Sequence, residues 1–391
     1  MPLYYIDGVR DIDGGGGGEV VVKEEGYPVI WSNDSVVGYA NYCYVMPFNV
    51  DKNVVLFTRQ GNYGSTWTGM TTLGKTGTGT QNAFSDGSIS GGHNFFVSTR
   101  IAEDDSFVVQ HYNNTFKYKA ITNHTVSGTY LSLSTSDFFS VTSSKPAILN
   151  STTFAIFDST NQKVAIIKLT EGSLVKEKEI TVSGVAGISS FVGKLVLLYN
   201  STEAGIRILD IDTEEVLYED IRNDGTNNPM SFAQEKDNYL FVPCANNTTP
   251  YVTTPLIIYE YSNGQFYKKD MTVNGYTETA YSAGSTFLVT KNGDKYFALC
   301  NLGYTVDSLQ VLACDFADNS INASFYSGDS SGYFIIAPTT VDGKEMLFRM
   351  KTVGSAPTYF RLYYGNYSAT KQPVAIEYSG NNYIYLSSAQ E

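Results

Sequence analysis

The stretch that decides the fold is Phe154-Ala155-Ile156-Phe157-Asp158-Ser159-Thr160-Asn161-Gln162-Lys163-Val164-Ala165-Ile166-Ile167. Two short apolar runs lie on either side of a polar turn. Apolar runs of four to eight residues that are bounded by turn residues are typical of strands. The stretch therefore predicts an antiparallel β-hairpin.

Similar runs recur along the whole chain. Their anchor residues are Val55, Phe107, Phe154, Leu195, Tyr239, Phe287, Tyr333 and Tyr383. Successive anchors are 41 to 52 residues apart, a period in the range of propeller blades. Turn signals follow the runs: Asn263-Gly264, Asn292-Gly293 and Asp342-Gly343. Such pairs favour type I′ hairpin turns because both central residues need a positive φ.

The segment from Ile206 to Tyr218 is the clearest outer hairpin, with residues 212–215 as its turn. Its alternation places Ile206, either Leu209 or Ile211, and Val216 on faces that can pack against neighbouring blades. The segment from Glu171 to Ile180 is interpreted as a turn followed by an outer strand. No helical period extends over ten or more residues, so we expect hairpins to connect the chain.

These patterns predict an all-β chain folded as a β-propeller. Seven intervals favour seven blades, with eight or six blades as alternatives, and strands from the N- and C-terminal regions are expected to close the ring. Residues 1–34 are predicted to form an N-terminal arm, and residues 35–391 the propeller. The glycine run Gly14 to Gly18 is interpreted as a flexible linker. The alternative is an arm that docks into a neighbouring subunit.

Composition limits the classes of function. Only 17% of the 391 residues are charged, below the roughly 25% of ordinary soluble domains. The formal net charge of -13 argues against nucleic acid as a partner, because nucleic-acid affinity comes from clustered cations. The sequence contains no run of about 18 apolar residues, the length that a membrane-spanning helix needs. The N-terminus lacks the basic and apolar regions of a signal peptide, so we expect synthesis without export by that route.

Residues Gln60-Gly61-Asn62-Tyr63-Gly64-Ser65-Thr66-Trp67 resemble the Asp-box of sialidase-type propellers, whose pattern is Ser-x-Asp-x-Gly-x-Thr-Trp. Gly64, Thr66 and Trp67 match, whereas Gln60 replaces the serine and Asn62 replaces the aspartate. The resemblance implies a structural turn. Asn62 would cap it, Gly64 would supply a positive φ, and Trp67 would fill the gap between sheets.

Catalytic and metal-binding patterns are not found in the sequence. The arginines are Arg10, Arg59, Arg100, Arg207, Arg222, Arg349 and Arg361. None of them has the Arg-Ile-Pro context of the sialidase family, so no catalytic residue is assigned. The histidines are His93, His111 and His124. They form no metal pair or visible triad, and His111 is expected to be a packed or hydrogen-bonded residue.

Other candidate sites are interpreted as structural. Residues 74–80 lack the spacing of a phosphate loop. Asp210 and Asp212 are expected to start a turn and not to bind calcium. The cysteines Cys43, Cys244, Cys300 and Cys314 have no CxxC spacing, so we expect buried free thiols. The prediction is therefore no cofactor, no metal site and no identified binding residue.

The chain resembles a bacteriophage virion component in its acidic, lysine-poor, Tyr- and Asn-rich β composition and its glycine-rich N-terminal segment. This resemblance implies a non-enzymatic structural or adhesion component of a phage particle, associated with the tail and located in the virion. The propeller would be a spacer or a host-surface binding platform. Expected partners are other virion proteins, bound through residues 1–34, and a host-surface glycan or protein, within a symmetric assembly. The alternatives are a sialidase-like glycoside hydrolase and a secreted glycan-binding propeller.

Overall fold

The computed structural model describes strands within residues 26–82 and 335–388. Between these regions it describes strands and the segments that connect them, in residues 97–100, 106–121, 130–201, 203–222, 232–244, 255–275, 287–292, 294–301 and 308–327. The first strands are β1 (Gly26–Tyr27), β2 (Val29–Asn33), β3 (Ala40–Val45), β4 (Phe48–Asn49), β5 (Val54–Gly61), β6 (Thr66–Thr72) and β7 (Thr80–Asn82).

The central part of the chain contains most of the described side chains. Its first eight strands are β8 (Val97–Arg100), β9 (Ser106–Tyr112), β10 (Thr115–Ile121), β11 (Leu131–Ser134), β12 (Ala147–Ile148), β13 (Thr153–Asp158), β14 (Lys163–Thr170) and β15 (Ser173–Thr181). The next eight are β16 (Gly187–Phe191), β17 (Lys194–Asn200), β18 (Ala204–Leu209), β19 (Val216–Arg222), β20 (Gln234–Lys236), β21 (Tyr239–Pro243), β22 (Leu256–Ser262) and β23 (Gln265–Lys268).

The remaining strands complete the C-terminal third of the chain. They are β24 (Thr272–Asn274), β25 (Phe287–Asn292), β26 (Lys295–Asn301), β27 (Ser308–Asp315), β28 (Ser320–Ser327), β29 (Ile335–Val341), β30 (Lys344–Lys351), β31 (Tyr359–Tyr363), β32 (Pro373–Glu377) and β33 (Ile384–Ser388).

Four sheets in the described part are four-stranded antiparallel meanders of consecutive strands: β8 to β11, β12 to β15, β16 to β19 and β20 to β23. A five-stranded sheet has the order β24-β28-β27-β26-β25, with β24 parallel to β28. β1 pairs with β33, and β2 pairs with β31. The prediction of an all-β chain built from hairpins is thus confirmed.

The individual hairpin predictions hold at the residue level. Phe154 pairs with Ile167 across the β13–β14 hairpin. Asn263 and Gly264 have φ values of 52° and 80°, as a type I′ turn requires. Val341 pairs with Lys344 around the predicted Asp342-Gly343 turn.

Two details differ from the sequence interpretation. Phe287 lies on β25, the first strand of its meander, whereas Phe107, Phe154 and Leu195 lie on second strands. The spacing between anchor residues therefore counts first strands and second strands of the sheets together, because strands at both positions have apolar runs. Val216 was expected to pack against a neighbouring blade, but its side chain is 52% exposed since β19 is the outermost strand of its sheet.

The hydrophobic core lies between neighbouring sheets. Aromatic rings fill these interfaces: Phe107 on β9 contacts Phe154 on β13 edge-on, with ring centroids 5.6 Å apart. Ala155, Val164 and Leu197 belong to the next cluster, between the β12–β15 and β16–β19 sheets. The excess of aromatic residues in the composition thus corresponds to side chains that fill the space between sheets in the described part.

Gly264→Ala tests the turn geometry. A Cβ at this position would meet no atom within 4 Å, but the φ of +80° is one that L side chains rarely adopt. We expect a loss of about 1 kcal/mol in the free energy of unfolding, measured by urea titration. Gln265→Ala, on the neighbouring exposed residue, is the control. An unchanged stability in Gly264→Ala would contradict the left-handed conformation.

Candidate functional site

A groove of about 340 Å³ lies between the β16–β19 and β20–β23 sheets. Its lining residues are Val192, Lys194, Leu217, Tyr261, Gly264, Gln265 and Phe266. They come from the β16–β17 hairpin, with Val192 in its turn and Lys194 at the start of β17, from β19 and from the β22–β23 hairpin. The volume is at the lower end of the range of small-molecule sites, so the groove can hold a small group or a few side chains.

One wall of the groove is aromatic and firmly packed. The Phe266 ring lies 4.8 Å from Tyr261, 5.5 Å from Phe191 and 6.3 Å from Tyr218, measured between centroids. Phe191 is fully buried, so it supports the ring from behind. Such a wall presents a rigid apolar surface at little entropic cost to a partner.

A half-buried carboxyl group holds the turn that contains Val192. Val192 has a φ of 50°, which is unusual for a β-branched residue. Its N–H donates a hydrogen bond of 3.0 Å to Glu235 Oε1 on β20. Burial raises the pKa of Glu235 to about 7, although this hydrogen bond and Arg100 act in the opposite direction. Glu235 therefore links the turn that contains Val192, a groove residue, to the neighbouring sheet.

The charge at the rim is balanced. Lys194 Nζ lies 2.6 Å from Asp210 Oδ2. The hydrogen bond from Lys194, followed by the backbone N–H groups of Thr213 and Asp212, lowers the pKa of Asp210 to about 2. The side-chain oxygen of Gln265 accepts a hydrogen bond of 2.6 Å from the Tyr267 hydroxyl. This arrangement suits an uncharged, hydrogen-bonding partner.

Exposed apolar side chains continue from the groove onto the outer strands. Val216 and Leu217 on β19 are 52% and 42% exposed, and Tyr267 on β23 is 43% exposed. We call these three residues the outer patch. Of the three, Leu217 also lines the groove, and Val216 and Tyr267 are next in sequence to the lining residues Leu217 and Phe266.

The Asp-box-like motif falls only partly within the described residues. Thr66 and Trp67 begin β6 and pair with Gln60 and Arg59 on β5. Asn62 and Gly64 lie outside the described residues, as do His93 and His124. The motif thus connects two antiparallel strands, and its side-chain roles stay predictions.

His111 is a buried, hydrogen-bonded residue, as expected. Its Nδ1 lies 2.9 Å from Ser144 Oγ, and its Nε2 lies 3.0 Å from Thr135 Oγ1. Burial lowers the pKa of His111 to about 4, against the opposing charge of Asp158. Asp158 itself accepts hydrogen bonds from the N–H groups of Ser140, Thr160 and Asn161. These side chains hold loops in place and line no described cavity.

The remaining sequence candidates are structural where they are described. Asp210 accepts hydrogen bonds from the N–H groups of Asp212 and Thr213, as a turn-starting aspartate does. Cys244 and Cys314 are buried free thiols. Among the residues with described side chains, no group of three or more His, Cys, Asp or Glu residues could hold a metal ion.

Sequence reasoning did not find Glu235 or the groove. Glu235 lies in a short polar segment, Gln234–Lys236, which resembles any exposed turn. The groove is formed by residues from three separate segments, so no local pattern could have indicated it. Searched over the described residues, the structure contains no helix long and apolar enough to cross a membrane.

Comparison with solved structures identifies the architecture. The β-propeller domain of Cps50 (Swd1) from Myceliophteria thermophila superimposes with a TM-score of 0.54, at 10% identity over 87% of this chain and all of that chain. The fold is a β-propeller. A chain of the mitotic checkpoint complex is also similar, with a TM-score of 0.53 and 10% identity over 90% of this chain and 99% of that chain.

At these identities the likeness concerns the propeller fold alone, because propellers host many unrelated functions. No protein-family model and no curated protein matches the chain.

Proposed function

We propose that this propeller is a non-enzymatic structural or adhesion component of a bacteriophage particle, associated with the tail. The propeller would be a spacer or a host-surface binding platform. The segment 1–34, in which β1 and β2 pair with β33 and β31, would attach it to other virion proteins through the residues that precede β1. Seven blades in a ring closed by N- and C-terminal strands are part of this proposal. The pairing of β1 with β33 supports such a closure.

The observation that carries the adhesion role is the groove with its adjoining outer patch. Tyr261 and Phe266 offer ring faces, Gln265 offers an amide, and Lys194 is already neutralised by Asp210. Aromatic rings beside hydrogen-bonding groups suit uncharged sugars and polypeptides.

The alternative is a sialidase-like glycoside hydrolase, which would need several arginines around one carboxylate. Six arginines are on described strands: Arg59 on β5, Arg100 on β8, Arg207 on β18, Arg222 on β19, Arg349 on β30 and Arg361 on β31. Only Arg349 and Arg361 among them are direct cross-strand partners. Arg207 donates hydrogen bonds to Glu219 and to the Tyr199 hydroxyl. A secreted glycan-binding propeller would use the same groove and would differ in location only.

Adsorption of the phage to its host cells tests the binding platform. Purified protein should compete with the phage that carries its gene and slow adsorption. A variant with Gln265→Ala and Tyr267→Ala should compete at least threefold less well, because it loses the exposed polar and aromatic groups at the rim. Val175→Ala, at a 41% exposed residue on β15, is the matched control.

Two outcomes would count against the proposal. Adsorption that is unaffected by the purified protein would remove the adhesion role. Hydrolysis of a fluorogenic sialoside by the purified protein, abolished when an arginine is replaced, would favour the hydrolase.

A further inference from the structure

Two neighbouring sheets end on outer strands with matching geometry. No described strand lies beyond β15 or beyond β19 in its sheet. Each strand contains a bulge at the corresponding place, opposite Ile166/Ile167 in one sheet and opposite Ile208/Leu209 in the other. The bulge leaves Glu177 on β15 and Leu217 on β19 without a cross-strand partner. The two edges can therefore be compared residue by residue.

The side chains at these matched positions differ in kind. β15 has Lys176 and Glu177, which form ion pairs with Glu179 and Lys168. Charged side chains protect an outer strand from pairing with another chain. β19 has Val216 and Leu217 at the same two places, and both are exposed. The edge of β19 therefore lacks the protection that β15 has at its bulge.

The chain itself shows what such an edge can accept. In the five-stranded sheet, β24 adds to the outer strand β28 in parallel, with Thr272 opposite Ser320. The Thr272 N–H donates a hydrogen bond of 2.8 Å to the Asn319 carbonyl. Val273 packs against the hydrophobic cluster of that sheet. A fifth outer strand is thus a stable arrangement in this propeller.

We propose that the edge of β19 accepts residues 3–7 of a second copy of this chain as an added strand. Backbone hydrogen bonds to β19 would supply affinity, and side chains of the added strand would pack on Val216 and Leu217. The ring faces of Tyr261 and Phe266 in the groove would stay open to a host-surface partner. The sequence Leu3-Tyr4-Tyr5-Ile6-Asp7 has the apolar and aromatic residues that strands prefer.

The chain length permits this exchange. Residues 8–25 separate the proposed strand from β1, and at about 3.3–3.6 Å per extended residue they can span roughly 60 Å. The run Gly14–Gly18 allows the direction to change freely. The inference rests on the proposed function in one respect, namely that the segment 1–34 has a role in assembly. Exchange between copies, unlike docking on the same chain, would produce the symmetric assembly expected of a particle component.

Sedimentation of the purified full-length protein tests the exchange. We expect the wild type to form an oligomer of the 42.9 kDa chain, and a variant with Val216→Lys and Leu217→Glu to be a monomer. This variant copies the β15 edge at exposed positions, so its urea unfolding midpoint should change little. The matched control swaps the charges on β15, as Lys176→Glu with Glu177→Lys, and should leave the oligomer intact.

Cysteine cross-linking identifies the occupant. Tyr5→Cys combined with Leu217→Cys should give a disulfide-linked species of two chains under oxidation, well above the background of the wild-type cysteines. A monomeric wild type, an oligomer unaffected by the β19 variant, or a cross-link confined to single chains would each overturn the proposal. None of these results changes whether the protein is found in phage particles, which is measured separately.

Discussion

Glu235→Gln is expected to make the protein sensitive to mild acid. Between pH 7 and pH 5 the variant should lose about 2 kcal/mol of unfolding free energy, whereas the wild type should change little. The glutamine has the same shape and can still accept the hydrogen bond from the Val192 N–H, so the difference reports the titration of one carboxyl group.

The sign follows from the pKa values. Burial raises the pKa of Glu235 from 4.5 to about 7. A carboxyl group with a raised pKa in the folded state contributes stability that is fully present below the unfolded pKa and is lost as the pH rises through the folded pKa. In the wild type, Glu235 thus adds stability as the pH falls from 7 to 5, at about 1.4 kcal/mol per pH unit within that window. In the wild type this gain offsets the stability that is lost over the same pH range because His111 stays neutral in the folded state. The glutamine variant lacks the gain and shows the loss alone.

Urea titrations at half-unit steps between pH 5 and pH 7 measure the slope. Glu260→Gln is a useful control because Glu260 lies on β22 of the same sheet and forms an ion pair with Lys269. If Glu235→Gln and the wild type had parallel stability profiles, Glu235 would titrate at an ordinary pKa and the raised pKa assigned to it would be wrong.

His111→Gln is expected to produce the opposite slope. Burial lowers the pKa of His111 from 6.5 to about 4. The unfolded chain therefore takes up a proton below pH 6.5 while the folded chain does not. The stability contributed by neutral His111 is present above pH 6.5 and is lost as the pH falls towards 4, by about 2 kcal/mol at pH 5.

The His111→Gln variant should therefore gain about 2 kcal/mol of unfolding free energy on acidification from pH 7 to pH 5. The reason is that the contribution of Glu235 is no longer opposed by that of His111. Its absolute stability at pH 7 should be lower than that of the wild type, since the contacts with Thr135 and Ser144 change. The slope of stability against pH reports the titration of His111, whereas the value at pH 7 reports the changed contacts, so the two effects can be measured separately. Combining His111→Gln with Glu235→Gln should restore a nearly flat profile, and a double variant as steep as either single one would contradict the assignment.

The sequence predicted the class of fold because the evidence for it is local. A hairpin such as Phe154 to Ile167 needs only two apolar runs and a turn, and Asn263-Gly264 specifies its own turn type. The position of a strand within its sheet depends on which other strands it pairs with. For this reason Phe287 could be recognised as a strand residue, but not as part of a first strand.

The candidate site could not be predicted in the same way. Val192, Leu217 and Phe266 come together only because successive sheets pack side by side. The exposure of Val216 depends on the end of the sheet order at β19, which alternation along one strand does not reveal. The prediction for His111 is confirmed, since an apolar strand around a histidine indicates burial. The partial burial of Glu235 left no signal in its polar surroundings.

The composition of purified phage particles tests the central claim most directly. Particles of the phage that carries the gene should be banded on a density gradient, and peptides of this chain should be quantified against those of the major capsid protein by mass spectrometry. We predict a fixed small number of copies per particle in independent preparations. Recovery of the chain only as free protein, in the lysate or in the culture medium, would contradict a role in the particle.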